Sequence, residues 1–271
     1  MGQLEGKAAL VLGAAGRNNM GQAIARRFRT EGAQVTVAGR HAEELERFAN
    51  EIGAAWTLCD ITKTADVTAM AQFAKSKMGH VDVGVNASGW GYLSPFLESK
   101  EEDIDRIMDL QFKGPFFFFQ AMIEAMDQGG SLIQISSATA TIMLNNHAAY
   151  MGTKAGTDHV VRCVAHEFGE RGIRANSISP GLTESPMTGG DLSKTPGLLE
   201  AFTPCYPLGR VGTSDDIAAA AVWLASDACF MTGQNLQVNG GLTLRRNPTQ
   251  QEIRTSVQQA MAKAQPQPQP V

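Results

Sequence analysis

The sequence predicts an α/β fold, a single doubly wound domain on a parallel sheet with helices on both faces. Three observations predict it. Short apolar strand segments alternate with amphipathic helical segments through short links, and parallel strands require such crossover helices. A glycine-rich turn joins the first strand to the first helix. Neither an internal repeat nor a change in composition interrupts the pattern before residue 244. Right-handed crossovers then put helices on both sides of the sheet.

Lys7–Leu12 (KAALVL) is an apolar run and reads as the first strand. Gln22–Thr30 is an amphipathic helix with Ile24, Ala25 and Phe28 on one face. Gln34–Ala38 (QVTVA) is a strand, and Ala42–Ile52 a helix closed by Gly53, a helix-stop residue. Ala55–Leu58 is a strand, Ala65–Met78 a helix stopping at Gly79, and Val81–Val85 a strand. Glu101–Met126 reads as one long helix, Ser131–Ser136 as a strand and Ala149–Arg171 as a second long helix. Ile173–Ile178 is a strand, Asp215–Ala225 a helix and Leu236–Val238 a last short strand. Residues 183–212 break the rhythm with Pro186, Pro196, Pro204 and Pro207. A loop this long inside a compact domain is more often functional than idle. The domain therefore spans 1–244. Residues 245–271 form a tail, with Arg245–Ala264 as a polar helix before an extended QPQPQPV end.

Composition excludes several classes of function. Of 271 residues 43% are apolar, enough for a full core. Lys plus Arg is 23 against 27 for Asp plus Glu, a net charge of −4, which argues against a general basic surface for nucleic acid. The longest apolar runs, 8–16 and 217–225, fall short of the ~20 residues a spanning helix needs. The first residues, MGQLEGK, carry no apolar signal core. Cys59, Cys163, Cys205 and Cys229 form no C-x-x-C pair and have no His at metal spacing. They read as reduced thiols of a cytoplasmic protein, with no metal site expected.

Three signals carry chemistry. Gly13-Ala14-Ala15-Gly16-Arg17-Asn18-Asn19-Met20-Gly21 lets backbone N–H groups approach a pyrophosphate, and the helix N-terminus behind it favours that charge. Such turns also join strands to helices with no ligand. Gly39-Arg40 ends the second strand, where NAD-type sites carry an acidic residue for the ribose hydroxyls. A guanidinium instead suits a 2′-phosphate, which argues for NADP(H), and Arg17 could add a second charge. The competing account makes both arginines solvated surface residues. Tyr150 and Lys154 share one helix face one turn apart, and Ser137 ends the strand before that helix. A phenol near pKa ~10 is a poor base at neutral pH. An adjacent ammonium is expected to lower that value.

With these residues the chain resembles the short-chain dehydrogenase/reductase family over about residues 4–244. The resemblance rests on the turn 13–21, Cys59-Asp60-Ile61, Asn86-Ala87-Ser88-Gly89, Ser137, Tyr150-Met151-Gly152-Thr153-Lys154 and Asn176 through Pro180-Gly181. It extends through Leu208-Gly209-Arg210-Val211-Gly212 to Asn239-Gly240-Gly241. It implies a Rossmann-like sheet of seven parallel strands, a homotetramer, and hydride transfer between a nicotinamide and a carbonyl or carbinol carbon. Tyr150 would be the proton donor or base, Lys154 would hold the ribose, and Ser137 would position the carbonyl oxygen. Gly13, Gly16, Arg17, Asn19, Met20 and Gly21 would surround the phosphates. Asp60 and Ile61 would hold the adenine, Asn86 and Gly89 would line the cleft, and Pro180, Gly181, Thr183 and Ser185 would meet the carboxamide.

Two positions depart from the family pattern. The glycine turn is enlarged by two residues at Arg17-Asn18-Asn19, a lengthening shared with enoyl-thioester reductases, whose Tyr and Lys stand further apart. Gln111 replaces the Asn that anchors a proton-relay water, keeping the amide but adding a methylene; it stays among the catalytic candidates. Trp90, Tyr92, Thr139, Met143, Leu144, His147 and Met187 neighbour these motifs and suggest a wide apolar pocket for a bulky ketone or secondary alcohol, with generic core packing as the competing account. The expected function is NADP(H)-dependent interconversion of such a pair. The alternatives are a 3-oxoacyl-thioester reductase and a non-catalytic NADP-binding sensor.

Overall fold

The computed structural model describes residues 2–184 and 195–264. Seven parallel strands form one sheet: β1 (Ala8–Leu12), β2 (Gln34–Gly39), β3 (Ala55–Leu58), β4 (Val83–Asn86), β5 (Gly130–Ile135), β6 (Ile173–Pro180) and, later in the chain, the strand Asn235–Val238. Two further strands, β7 (Thr183–Glu184) and β8 (Gly212–Thr213), pair with each other outside it, so the seventh sheet strand is β9. The order is β3-β2-β1-β4-β5-β6-β9. Every residue of β1 is buried, as expected of a strand covered on both faces.

The helices are α1 (Met20–Thr30), α2 (Ala42–Ile52), α3 (Thr64–Met78), α4 (Glu101–Met108), α5 (Gly114–Ala125), α6 (Ala148–Phe168), α7 (Leu198–Phe202), α8 (Ser214–Ala225) and α9 (Gln250–Ala264). One face of the sheet packs Ile24 and Phe28 of α1, Phe48 of α2 and Ile217 of α8. The other packs Met70 of α3, Phe118 and Met122 of α5 and Val161 of α6. A third, smaller cluster joins Ala138, Phe202, Tyr206 and Leu242, with Leu198 and Ile253 against it.

The long helix predicted over 101–126 is broken in its hydrogen bonding. Residues Asp109–Lys113 form a π-helical turn between α4 and α5, and the Gly114 N–H bonds back to the Asp109 carbonyl. Pro115 explains this. Proline has no N–H to offer the carbonyl four residues earlier, that of Gln111, and its ring crowds that carbonyl. The carbonyl is taken instead by the Thr157 hydroxyl on α6, at 2.6 Å. The irregular turn is thereby fastened to the helix that carries Tyr150 and Lys154.

The direction in which successive strands are added across the sheet reverses between β1 and β4, all strands staying parallel. In open parallel sheets ligands bind outside the carboxyl ends of the strands at such a switch point. The glycine turn, Gly39-Arg40, Asn86–Gly89 and Ser136-Ser137 all follow the ends of strands around it.

Candidate active site

The glycine turn is built by side chains as well as glycines. Gly13 has φ +98, and a Cβ there would lie 2.6 Å from the Ala87 carbonyl carbon. A Cβ on Gly21 would lie 2.6 Å from the Gly13 carbonyl oxygen, so helix α1 packs directly on the turn. The enlargement is closed by Asn19, which caps α1 by accepting from the Gln22 N–H at 2.9 Å and donates to the Gly13 carbonyl at 2.7 Å. Gln22, fully buried, donates from Nε2 to the Ala14 carbonyl and to Glu44, and accepts from the Asn18 N–H. Arg47 first, then Gln22, holds the Glu44 carboxyl down at about 2.

A cavity of about 450 Å³ runs from this turn to Tyr150. Gly13, Gly16, Asn19, Met20, Arg40, Ile61, Gly89, Tyr150, Lys154, Pro180, Gly181 and Thr183 line it. Four residues expected at the cofactor sit elsewhere. Arg17 is exposed outside the lining, near Glu44. Gly21 lies behind the turn, packed on Gly13. Asp60 is occupied by Thr62, whose N–H and hydroxyl both donate to its Oδ1. Burial raises that carboxyl, but the two Thr62 bonds and the Arg40 charge leave it below the usual range. Asn86 is fully buried, donating to Gln134 and accepting from the Ser88 N–H and hydroxyl, so it shapes the loop ahead of Gly89. Ser185 lies outside the described residues. His41 and Cys59 also line the cavity, although the sequence reading gave neither a cofactor role. Burial pushes the Cys59 thiol up to about 12, so it is inert there.

Ser137, just beyond β5, Tyr150 and Lys154 all line this cavity. The Ser137 hydroxyl stands 2.9 Å from the Thr139 hydroxyl and accepts from the Thr139 N–H. Lys154 is buried, donates to the Ile135 carbonyl at 2.8 Å and lies 5.6 Å from the Tyr150 ring centroid. Burial lowers its ammonium to about 8, against an upward pull from Asp158. The phenol behaves differently from the sequence expectation. Burial raises the Tyr150 pKa and the Ser137 hydroxyl offsets part of that rise, so the phenol is shifted upward where the sequence led to an expectation of lowering by Lys154. The Tyr150 proton is thus held until it is passed to an acceptor.

Gln111 does not reach the reacting groups. Its Oε1 accepts from the Trp90 N–H at 2.8 Å, and its Nε2 donates to Thr153 at 3.0 Å. Thr153 in turn donates to the Tyr150 carbonyl. The longer side chain is a strap between the loop after β4 and helix α6, which makes Gln111 a positioning residue.

A second cavity, of about 550 Å³, is also lined by Tyr150. Of the residues expected at the substrate, Thr139, Leu144 and His147 line it. Burial lowers the His147 pKa, and its ring meets the Tyr150 ring edge-on at 5.6 Å. Trp90 and Tyr92 are absent from the lining. Trp90 stacks under the Arg106 guanidinium at 4.5 Å, and buried Tyr92 reaches Asp103. The Met143 side chain is two-thirds exposed, at 67%, outside the cavity. Met187 lies outside the described residues. Leu182, Leu198, Phe202, Asn247, Gln250 and Ile253 complete the wall, and the tail residues among them carried no motif to mark them. Asp158, one turn beyond Lys154, was legible as the next residue on the same helix face but was not singled out.

The fold and this site define an oxidoreductase of the nicotinamide-dependent kind, and the comparisons agree. Residues 13–243 match the family described as enoyl-(acyl carrier protein) reductase. The chain is 36% identical over 253 residues to D-threitol dehydrogenase of Mycolicibacterium smegmatis, covering 90% of this chain and 95% of that one. It is 35% identical over 251 residues to 3beta-hydroxysteroid dehydrogenase 1 of Eggerthella lenta, covering 89% and 95%. A solved short-chain type dehydrogenase/reductase from Mycobacterium ulcerans superposes with TM-score 0.87 at 27% identity, over 94% of this chain and 98% of that one. The chain belongs to the short-chain dehydrogenase/reductase family.

Proposed function

We propose that the protein is an NADP(H)-dependent dehydrogenase interconverting a bulky, hydrophobic secondary alcohol and its ketone. One observation carries the reading: the two cavities share Ser137, Tyr150, Pro180 and Gly181. One space suits an extended dinucleotide and the other a substrate, and the only chemistry-bearing side chains common to both linings are Ser137 and Tyr150. The 550 Å³ of the second space is within the ~300–1,000 Å³ common for ligand sites. Its wall is dominated by Leu93, Leu144, Leu182, Leu198, Phe202 and Ile253, which favours a ring system of the hydroxysteroid kind over a small polyol.

The residues present fit a dinucleotide. The N–H groups of Gly13, Ala14, Asn18 and Asn19 are bonded within the protein, so those of Ala15, Gly16, Arg17 and Met20 would meet its phosphates; Arg40 faces the cavity where a 2′-phosphate would lie, and Lys154 stands beside Tyr150 where it would hold the ribose. Arg40 has no ion pair within 4.0 Å among the described residues, so its charge is available to an anion. When bound, the nicotinamide supplies or accepts the hydride. The Ser137 hydroxyl donates to the substrate oxygen and fixes it. In reduction Tyr150 gives its proton to that oxygen as the alkoxide charge develops, and the Lys154 ammonium stabilises the phenolate left behind. Oxidation runs the same transfers backwards, with Tyr150 as base.

Tyr150 and Lys154 stand at i, i+4, the spacing of carbonyl reductases and dehydrogenases and unlike the wider spacing of enoyl-thioester reductases. The test is turnover of ketones graded by size with NADPH and NADH, in the parent protein and in Tyr150→Phe. The parent is expected to reduce the bulky members, favouring NADPH at least tenfold. Tyr150→Phe should lower kcat by about 10²–10⁴-fold, the usual worth of a general acid, with NADPH affinity kept. Turnover retained by Tyr150→Phe, or ketones ignored and acyl thioesters reduced, overturns the reading.

A further inference from the structure

We propose that the C-terminal segment holding α9 is the wall that sets which substrates the active site accepts, acting through Asn247, Gln250 and Ile253. The proposal rests on the reading of the second cavity as the substrate site. It concerns residues beyond the family match, which ends at residue 243.

The segment is built to hold a position. Thr249 and Glu252 cap α9 reciprocally: the Thr249 N–H donates to Glu252 at 2.7 Å, and the Glu252 N–H donates to the Thr249 hydroxyl at 3.2 Å. Arg246 pairs with Glu252 at 2.7 Å, and Arg245 donates to the Pro204 carbonyl at 2.7 Å. Ser256 donates to the Gly197 carbonyl at 2.7 Å, so α9 is tied to the start of α7. At its root Asn247 is buried and donates to the Met143 carbonyl at 3.1 Å, which joins it to the loop running into Tyr150.

What α9 presents to the cavity is then fixed. Ile253 enters the cluster of Ala138, Phe202 and Leu242, and Ala138 is the neighbour of Ser137. Asn247 and Gln250 add uncharged amides, which can donate or accept. None of the segment's three arginines lines the cavity: Arg245 and Arg246 are engaged as above, and Arg254 donates to the Gln250 side-chain oxygen at 3.5 Å. An apolar wall with neutral amides selects a fused-ring secondary alcohol or ketone carrying a second, uncharged hydrogen-bonding group. It disfavours a charged tail, because no charged side chain of the segment lines the cavity.

The experiment measures kcat and KM for cyclohexanone, 2-decalone and a tetracyclic ketone with and without a second hydroxyl. It uses the full-length parent, Ile253→Trp, Ile253→Ala, Gln250→Ala and the exposed-face control Gln258→Ala. Ile253→Trp is expected to lower kcat/KM for the tetracyclic ketone at least tenfold relative to cyclohexanone, mainly through KM, with NADPH affinity within twofold of the parent. Gln250→Ala should cut the advantage of the second hydroxyl about fivefold, and Gln258→Ala should leave the size ratio unchanged. Should Ile253→Trp fail to fold, Ile253→Ala and Gln250→Ala decide on the same ratios. Size and hydroxyl ratios equal to those of the parent in folded cavity variants overturn the wall alone. A parent that reduces none of the ketones overturns the underlying reading, and the wall with it.

Discussion

Burial brings the Lys154 ammonium down to about 8, while Asp158, one turn further along α6, pulls it back up. Asp158 is itself buried and accepts from Ser136 and Asn235, so its position is fixed by three elements. Below pH of about 8 Lys154 is charged and can stabilise the phenolate that Tyr150 becomes in reduction; above it that help is lost. Asp158 therefore acts as a positioning residue through Lys154. Asp158→Asn removes the influence that raises the lysine, so the alkaline fall of kcat/KM for reduction should move to lower pH, by on the order of one unit. A pH–rate profile checks this. A merely structural role would lower Tm and leave the inflection where it was. At this scale the site was legible where chemistry restricts residue type: Ser137, Tyr150 and Lys154 converge as read. Trp90 and Tyr92 were misplaced because sequence proximity to a motif does not fix side-chain direction. Arg106 and Asp103, on another helix, draw them away from the cavity.

The π-helical turn at Asp109–Lys113 shows how one proline reaches the active site. Pro115 frees the Gln111 carbonyl, Thr157 captures it, and Gln111 straps Trp90 to Thr153. Thr157→Val keeps the shape and removes the donor, leaving a buried carbonyl without that bond. The expected loss is about 1–3 kcal/mol. At roughly 2–4 °C per kcal/mol for a chain of this size, thermal unfolding should show it. Thr68→Val is the control: it removes an exposed hydroxyl bonded only within its own helix, to the Thr64 carbonyl, and should leave Tm almost unmoved. The sequence reading missed the turn because an apolar period persists through it, although Gly114-Pro115 marked the place. It also began the tail helix too early. Pro248 and the Thr249/Glu252 cap start α9 at Gln250, a signature present in the sequence. The short pair β7 and β8 and helix α7 had no readable period, because contacts made across the chain stabilise elements of two to five residues.

At the scale of the molecule, helix α5 has more apolar surface than one chain can cover. Phe118 and Phe119 are buried against the sheet, while Phe116 is 44% exposed and Met108 of α4 is 41% exposed. At about 100° per residue four consecutive aromatics cannot share a face, so Phe116 points outward, on the stripe that also carries Gln120 and Glu124. The homotetramer expected from the family resemblance would cover this face with a second copy. A stable interface of that kind buries at least about 1,000 Å², and each aromatic at its centre contributes more than its share. We therefore expect light scattering to give about four times the 29.0 kDa of the chain. Phe116→Glu would put a charge into the centre of the covered face, with no partner for it. It should lower the measured mass to that of a dimer or monomer while the far-ultraviolet spectrum keeps its helix content, because the residue makes no core contact within its own chain's buried clusters. A parent that runs as a single chain, or a tetramer indifferent to Phe116→Glu, would mean that this face is covered in some other way.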